Sequence, residues 1–258
     1  MKKFLIAIIA LAAAFIWGFW LVAVPTDLIV SSIEESLDMD SLNVEVVGFK
    51  KGLFYNFTIE GVDFKKSGTR LLSVDDISGR VDLLSLLSMK AVIPFRGNIG
   101  GGELKGIATL KRKDYEVNLS INNARISELG LFEYTGIRGD GILKAELNMK
   151  NNSGVVKFSV NNLQLEDTPF SGVRIPLAMF HTARGAATFK RTLIKVKSFS
   201  IEGKGLYARL KGTIQGRTIN VKLELMPEEP EPLIFALLKK YQVSSRYYVI
   251  PIKRVLRF

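Results

Sequence analysis

From about Leu42 onward, apolar residues of this 258-residue chain recur at every second position, and a period of two dictates extended backbone. Ile219, Val221, Leu223 and Leu225 fall on one side, with Asn220, Lys222 and Glu224 on the other. Leu206, Ala208 and Leu210 alternate in the same way with Tyr207, Arg209 and Lys211. So do Tyr115, Val117, Leu119 and Ile121 with Glu116, Asn118 and Ser120, and Leu143, Ala145, Leu147 and Met149 with Lys144, Glu146 and Asn148. Each stretch predicts a half-buried strand. Glycines at the joints, as in "RGDG" (Arg138 to Gly141), "EGKG" (Glu202 to Gly205) and Gln215-Gly216, suit tight turns, so the strands are expected to run as an antiparallel meander. A hydrophobic content of 47% excludes a disordered chain.

Part of this pattern is written twice. "SINNARI" (Ser120 to Ile126) returns as "SVNNLQL" (Ser159 to Leu165), and laying Gly102 to Ile126 over Gly141 to Leu165 gives eight identities in 25 pairs. A period of about 40 residues holding two strands and an Asn-Asn exit predicts a supersecondary unit stacked on its neighbour. The Asn pair suits a strand end, where Asn tolerates left-handed backbone. One apolar face running through many strands must either curl on itself or stay open as a curved groove covered by something else. Its candidate lining is Leu119, Ile121, Phe158, Val160, Val221 and Leu223, and phospholipid acyl chains are the candidate cover.

The N-terminus predicts a location. After Lys2 and Lys3, the run from Phe4 to Val24 carries no charge over 21 residues, which as a helix spans about 30 Å, the thickness of a bilayer core. Phe4, Ile8, Phe15, Trp17, Trp20 and Val24 are the expected anchor residues. A cleaved signal peptide ending near Ala12-Ala13-Ala14 is the competing reading, but cleavage there leaves "FIWGFWLVAV" as an unburied apolar stub. The stretch "PTDLIVSSIEESLDMDSLNV" after the span has five acids and no Lys or Arg, so the positive-inside rule puts the N-terminus in the cytoplasm and the body outside. The expected organisation is a cytoplasmic tip and transmembrane helix (1–24), a juxtamembrane helix (25–38) with Ile29, Ile33 and Leu37 on one face, a β-domain (39–226) and a C-terminal element (227–258).

That last boundary follows from "MPEEPEP" (Met226 to Pro232), whose prolines interrupt a central strand. Beyond it, Leu233 to Phe258 holds six basic residues and no acid, which makes Lys253, Arg254 and Arg257 candidate contacts for an anionic surface, set against a closing element of the sheet that happens to be basic. The whole chain carries a formal net charge of +11. Such a surface attracts nucleic acid, anionic lipid and acidic polymers alike, and export across a membrane argues against nucleic acid.

No catalytic constellation emerges. The chain has no cysteine and hence no thiolate chemistry. "GNIGGGELKG" (Gly97 to Gly106) has Ile107 where a phosphate-binding loop requires Lys, and reads as a β-turn. His181, the single histidine, has no ligand or triad partner spaced around it. Catalytic, metal and cofactor sites are therefore not expected.

The order of anchor, "PTDLIVSSIEESL", "VDFKKSGTRLLSVDDISGRVDLLSLLSMKAVIPFRGNIGGGELKG" and "FSVNNLQLEDTPF" resembles the type II secretion system protein N family and its relatives among AsmA-like inner-membrane proteins. The segment "VDLLSLLSMKAVIPF" leading into "GGGELKG" carries most of the likeness. The resemblance implies an all-β periplasmic domain, a curved and mainly antiparallel sheet, on one helix of the bacterial inner membrane. It also implies an accessory role in type II protein secretion alongside other envelope proteins, or, from the AsmA-like side, lipid binding or transfer between envelope membranes.

Overall fold

The computed structural model describes residues 18, 20, 25–37, 42–130, 138–170, 173–175, 177–216, 218–228 and 238–255. Helix α1 (Thr26–Leu37) leads into β1 (Asn43–Val47), β2 (Lys50–Lys51), β3 (Asn56–Lys66) and β4 (Thr69–Arg80). The one-turn helix α2 (Leu83–Leu86) precedes β5 (Lys90–Ile99), β6 (Gly102–Lys111), β7 (Tyr115–Arg125), β8 (Gly139–Lys150) and β9 (Ser153–Leu165). A small pair, β10 (Thr168–Phe170) and β11 (Val173–Ile175), is followed by β12 (Phe180–Lys190), β13 (Leu193–Gly203), β14 (Leu206–Gln215), β15 (Thr218–Pro227), β16 (Gln242–Ser244) and β17 (Tyr247–Val255).

Fifteen strands form one antiparallel sheet in the order β1-β3-β4-β5-β6-β7-β8-β9-β12-β13-β14-β15-β17-β16, with β2 beside β3. The architecture is all-β, as the alternation predicts. The sheet does not close on itself, so it keeps two edges, and unpaired edge strands invite aggregation unless covered or interrupted. At one edge α1 lies along β1, and the Glu34 carboxylate accepts a hydrogen bond from the Val46 amide at 2.9 Å. At the other, β16 is three residues long, and Pro251 interrupts the donor row of β17 where no further strand is paired.

The chain crosses from β5 to β6 through Gly100 and Gly101, both with positive φ (52° and 67°), the backbone of a two-residue hairpin turn. The repeated segments are the adjacent hairpins β6–β7 and β8–β9. In each, the second Asn of the pair is left-handed, Asn123 at φ 59° and Asn162 at φ 52°. Each lies at a bulge: β7 slips against β8 between Ile121 and Ala124, and β9 slips against β8 between Asn161 and Gln164. The extra residue lets positions three apart, such as Ile121 with Ala124 and Val160 with Leu163, share one face. Ala124, Ile126 and Leu163, beyond the bulges, join Val160, Phe180 and Ala183 in the main buried cluster. The second writing of the string is therefore scaffold. Asn123→Val should destabilise the protein by about 1–2 kcal/mol, because a β-branched residue resists left-handed backbone, while Asn123→Gly should not; urea denaturation of both variants checks this.

Near these bulges Asp140 binds three donors: Arg125 Nη2 at 2.7 Å, Ser127 Oγ at 2.9 Å and its neighbour Gly141 N at 2.8 Å. The Arg125 bond first, then the Gly141 amide and the Ser127 hydroxyl, hold the Asp140 carboxyl down from its ordinary 3.8 to about 2. A value depressed by folding gives stability that is complete above about pH 4 and is lost as pH falls toward the folded value. Asp140→Asn should therefore flatten the fall in stability between about pH 4 and 2, measured by denaturation at successive pH values.

No helix among the described residues is long and apolar enough to cross a membrane. The span expected at 4–24 lies outside them except at Gly18 and Trp20, so Phe4, Ile8, Phe15, Trp17 and Val24 have no structural account. Within the span 25–38, where a helix is expected, the structure has α1. At the C-terminus β15 runs through Met226 to Pro227, and β17 returns to pair with it from Thr218↔Val255 to Leu225↔Tyr248, so residues 247–255 belong to the same sheet.

Candidate functional site

Register aligns the apolar positions into rows that cross the sheet. One row passes by direct cross-strand pairs from Phe57 on β3 through Phe95, Leu119 and Val156 to Val221 on β15 and Ile252 on β17, and every position on it is Gly, Ala or a larger apolar residue. Two residues further along the strands, a second row runs from Leu104 through Ile121, Phe158, Phe199 and Leu223 to Ile250. A third contains Val160, Ala183, Ala208 and Tyr248. All six residues proposed from sequence as the apolar lining thus stand on one face, Leu119 and Val221 in the first row, Ile121, Phe158 and Leu223 in the second, and Val160 in the third.

Phenylalanine packs this face in a specific way. Phe57, Phe95, Phe158 and Phe189 each pair directly across strands with a glycine, respectively Gly79, Gly106, Gly185 and Gly154. Each ring occupies the space a side chain would fill there: a Cβ on Gly154 would lie 2.6 Å from Phe189 Cζ, and the other three glycines leave still less room. Aromatic rings laid over glycine in this manner fix register and cover exposed backbone. Phe158 also meets Phe199 at 5.9 Å between ring centroids. The four pairs keep the apolar layer flat rather than brush-like.

Burial grades along the strands. In the third row Val160, Ala183, Ala208 and Tyr248 are 5, 6, 8 and 1% exposed, whereas in the first row Phe95, Leu119, Val156 and Ile252 are only half-buried. One end of the face is a packed core, and the other is only half-buried along most of its length. On the reverse face Ser78, Arg96, Lys105, Ser120 and Glu146, together with Pro94 and Ile107, line a depression of 1130 Å³ across β3 to β8. Arg96 Nε donates to Ser78 Oγ at 3.2 Å, and Lys105 pairs with Glu103 at 2.7 Å. Further along this face Arg209 Nε donates to the nearly buried Glu224 at 2.6 Å, which raises the Arg209 pKa. His181 is exposed on β12, and among the described residues no group of three metal-binding side chains comes together.

Of the candidate anionic-surface contacts, Lys253 is exposed near the end of β17 and pairs across strands with Asn220, and Arg254 pairs with Ile219 in the ladder. Arg257 lies outside the described residues. Sequence reasoning missed the Phe–Gly pairs and the polar depression, because each needs to know which strand lies beside which.

Comparison with protein-family models, with curated proteins and with solved structures finds no match to this chain. Gly185→Val should push Phe158 off its partner strand and destabilise the protein by about 1–3 kcal/mol. A double-mutant cycle with Phe158→Leu should return a coupling of about 0.5–3 kcal/mol, because the two changes act on one contact.

Proposed function

We propose that the chain is a membrane-anchored envelope protein whose open sheet holds the acyl chains of lipids on its apolar face. The observation that supports this reading is the unbroken apolar row across twelve strands, half-buried along much of its length. A soluble protein rarely leaves a continuous apolar surface of this kind without something to cover it. Acyl chains match it chemically, since they need no hydrogen-bonding partner and each methylene removed from water contributes about 0.8 kcal/mol. The uncharged run from Phe4 to Val24 and the acidic stretch after it support an anchor in the inner membrane with the body in the periplasm.

The accessory role in type II secretion rests on the sequence resemblance alone. In that role the same face would meet an apolar segment of another envelope protein. Photo-crosslinking in a Gram-negative host separates the two readings. A photoreactive residue in place of Phe158 or Leu119 should give lipid adducts, and one in place of Glu146 on the polar face should give none. Adducts to a secretion protein at Phe158 would shift the function to secretion, and equal lipid labelling on both faces would remove the lipid reading.

A further inference from the structure

Antiparallel strands turn at alternate ends of the sheet, and the two rims differ in character. One rim collects the segment before β3, the α2 turn between β4 and β5, and the β6–β7, β8–β9, β12–β13 and β14–β15 turns. This is the open end of the apolar face. In its most prominent turn, Leu84, Leu87 and Met89 are 77, 85 and 87% exposed. The turn is held with its polar side chains inward: Asp82 Oδ1 accepts from the Leu84 amide at 3.1 Å, and Ser85 Oγ donates to the Asp82 carbonyl at 2.7 Å and accepts from the Val92 amide at 3.2 Å. The leucines are thereby fixed pointing away from the body. Leu53, 53% exposed, stands on the same rim.

Cations surround these apolar side chains. Arg80 and Lys90 flank the α2 turn, Lys111, Arg112 and Lys113 make up most of the β6–β7 turn, and Lys190 and Arg191 lie at β12–β13, all exposed. None of these seven forms an ion pair with another described residue. On the opposite rim Arg125 pairs with Asp140 and Arg70 with Asp63, while Arg138, Lys204 and Arg246 are exposed without an ion pair to another described residue. Trp20 also stands at the first rim. Trp20 stacks on Tyr55 at 5.0 Å between ring centroids, and Lys51 Nζ stands 5.6 Å from the Trp20 ring, in the segment that precedes β3.

We propose that this rim docks on an anionic bilayer surface, with the Leu83–Met89 turn dipping among the lipids and the surrounding Lys and Arg side chains meeting headgroup phosphates. Exposed leucine and methionine ringed by unpaired cations is the composition of an interfacial membrane contact, in which acyl chains take the apolar side chains and headgroup phosphates the cations. The docking would set the open end of the apolar face against the membrane, but it stands whether or not that face holds lipid.

The absence of native cysteine permits a direct test on the full chain reconstituted in vesicles. A fluorophore on Leu87→Cys should be quenched by nitroxide-bearing lipids in phosphatidylglycerol-containing vesicles, while the same label on Ser67→Cys, at the opposite rim, should not. Replacing Lys111, Arg112 and Lys113 by Gln should weaken the docking equilibrium about fivefold per residue. Failure of quenching at position 87, equal quenching at 67 and 87, or undiminished quenching in vesicles of phosphatidylcholine alone would each overturn the proposal. Efficient disulfide formation between copies at position 87 without quenching would assign the rim to self-association instead.

Discussion

Each strand of the large sheet meets its neighbours through backbone hydrogen bonds in fixed register, and because side chains alternate, a slip of one residue would turn an apolar row to the polar face. The register is pinned from the apolar side as well. Phe57, Phe95, Phe158 and Phe189 each need a glycine directly opposite, and no position one residue away provides one. Ladder and ring therefore specify the same alignment, which is how a sheet of fifteen strands avoids neighbouring solutions.

Strict alternation alone would carry every strand to its end with the same parity. The left-handed residues Asp76, Asn123 and Asn162 break it at register shifts in β4, β7 and β9. Beyond those shifts the chain packs Ala124, Ile126 and Leu163 into the buried cluster at one rim. The other rim has no equivalent set of bulges, and most of its first row, Val221 excepted, stays half-buried. Asymmetry along the strands, a packed end and an open end, thus arises from a few backbone positions. The charged and apolar turns of the open rim add a second asymmetry in the same direction.

These asymmetries give the functional reading its physical content. An apolar surface open at one end, with a cationic apolar rim beside that opening, has the arrangement expected of a protein that works against a bilayer. Among the described residues the charges of the polar face are spread along the strands, and Arg209 with Glu224 is a cross-strand contact within the sheet.

The sequence by itself determined the strands and the face each residue takes, because a period of two is a local property of extended backbone; Leu119, Ile121, Phe158, Val160, Val221 and Leu223 could be assigned to one side on that ground. It also determined the helix at 26–37 and the turns at Gly205 and Gly216, but not the turn expected at Arg138 to Gly141, where Gly139 and Gly141 lie inside β8 because that strand pairs with β9 up to Leu165. Pairing was decided only in three dimensions. Gly185 receives the ring of Phe158 because β12 lies beside β9, with β10 and β11 set apart from the main sheet, and no local pattern announces that neighbour. Likewise Tyr247 to Val255, separated from β15 by a proline-rich break, returned to it because an unpaired ladder edge offers hydrogen bonds to whichever strand reaches it. In the α2 turn Ser85 and Asp82, by turning their polar atoms toward β5 and the turn's own backbone, decided that the leucines face away from the body.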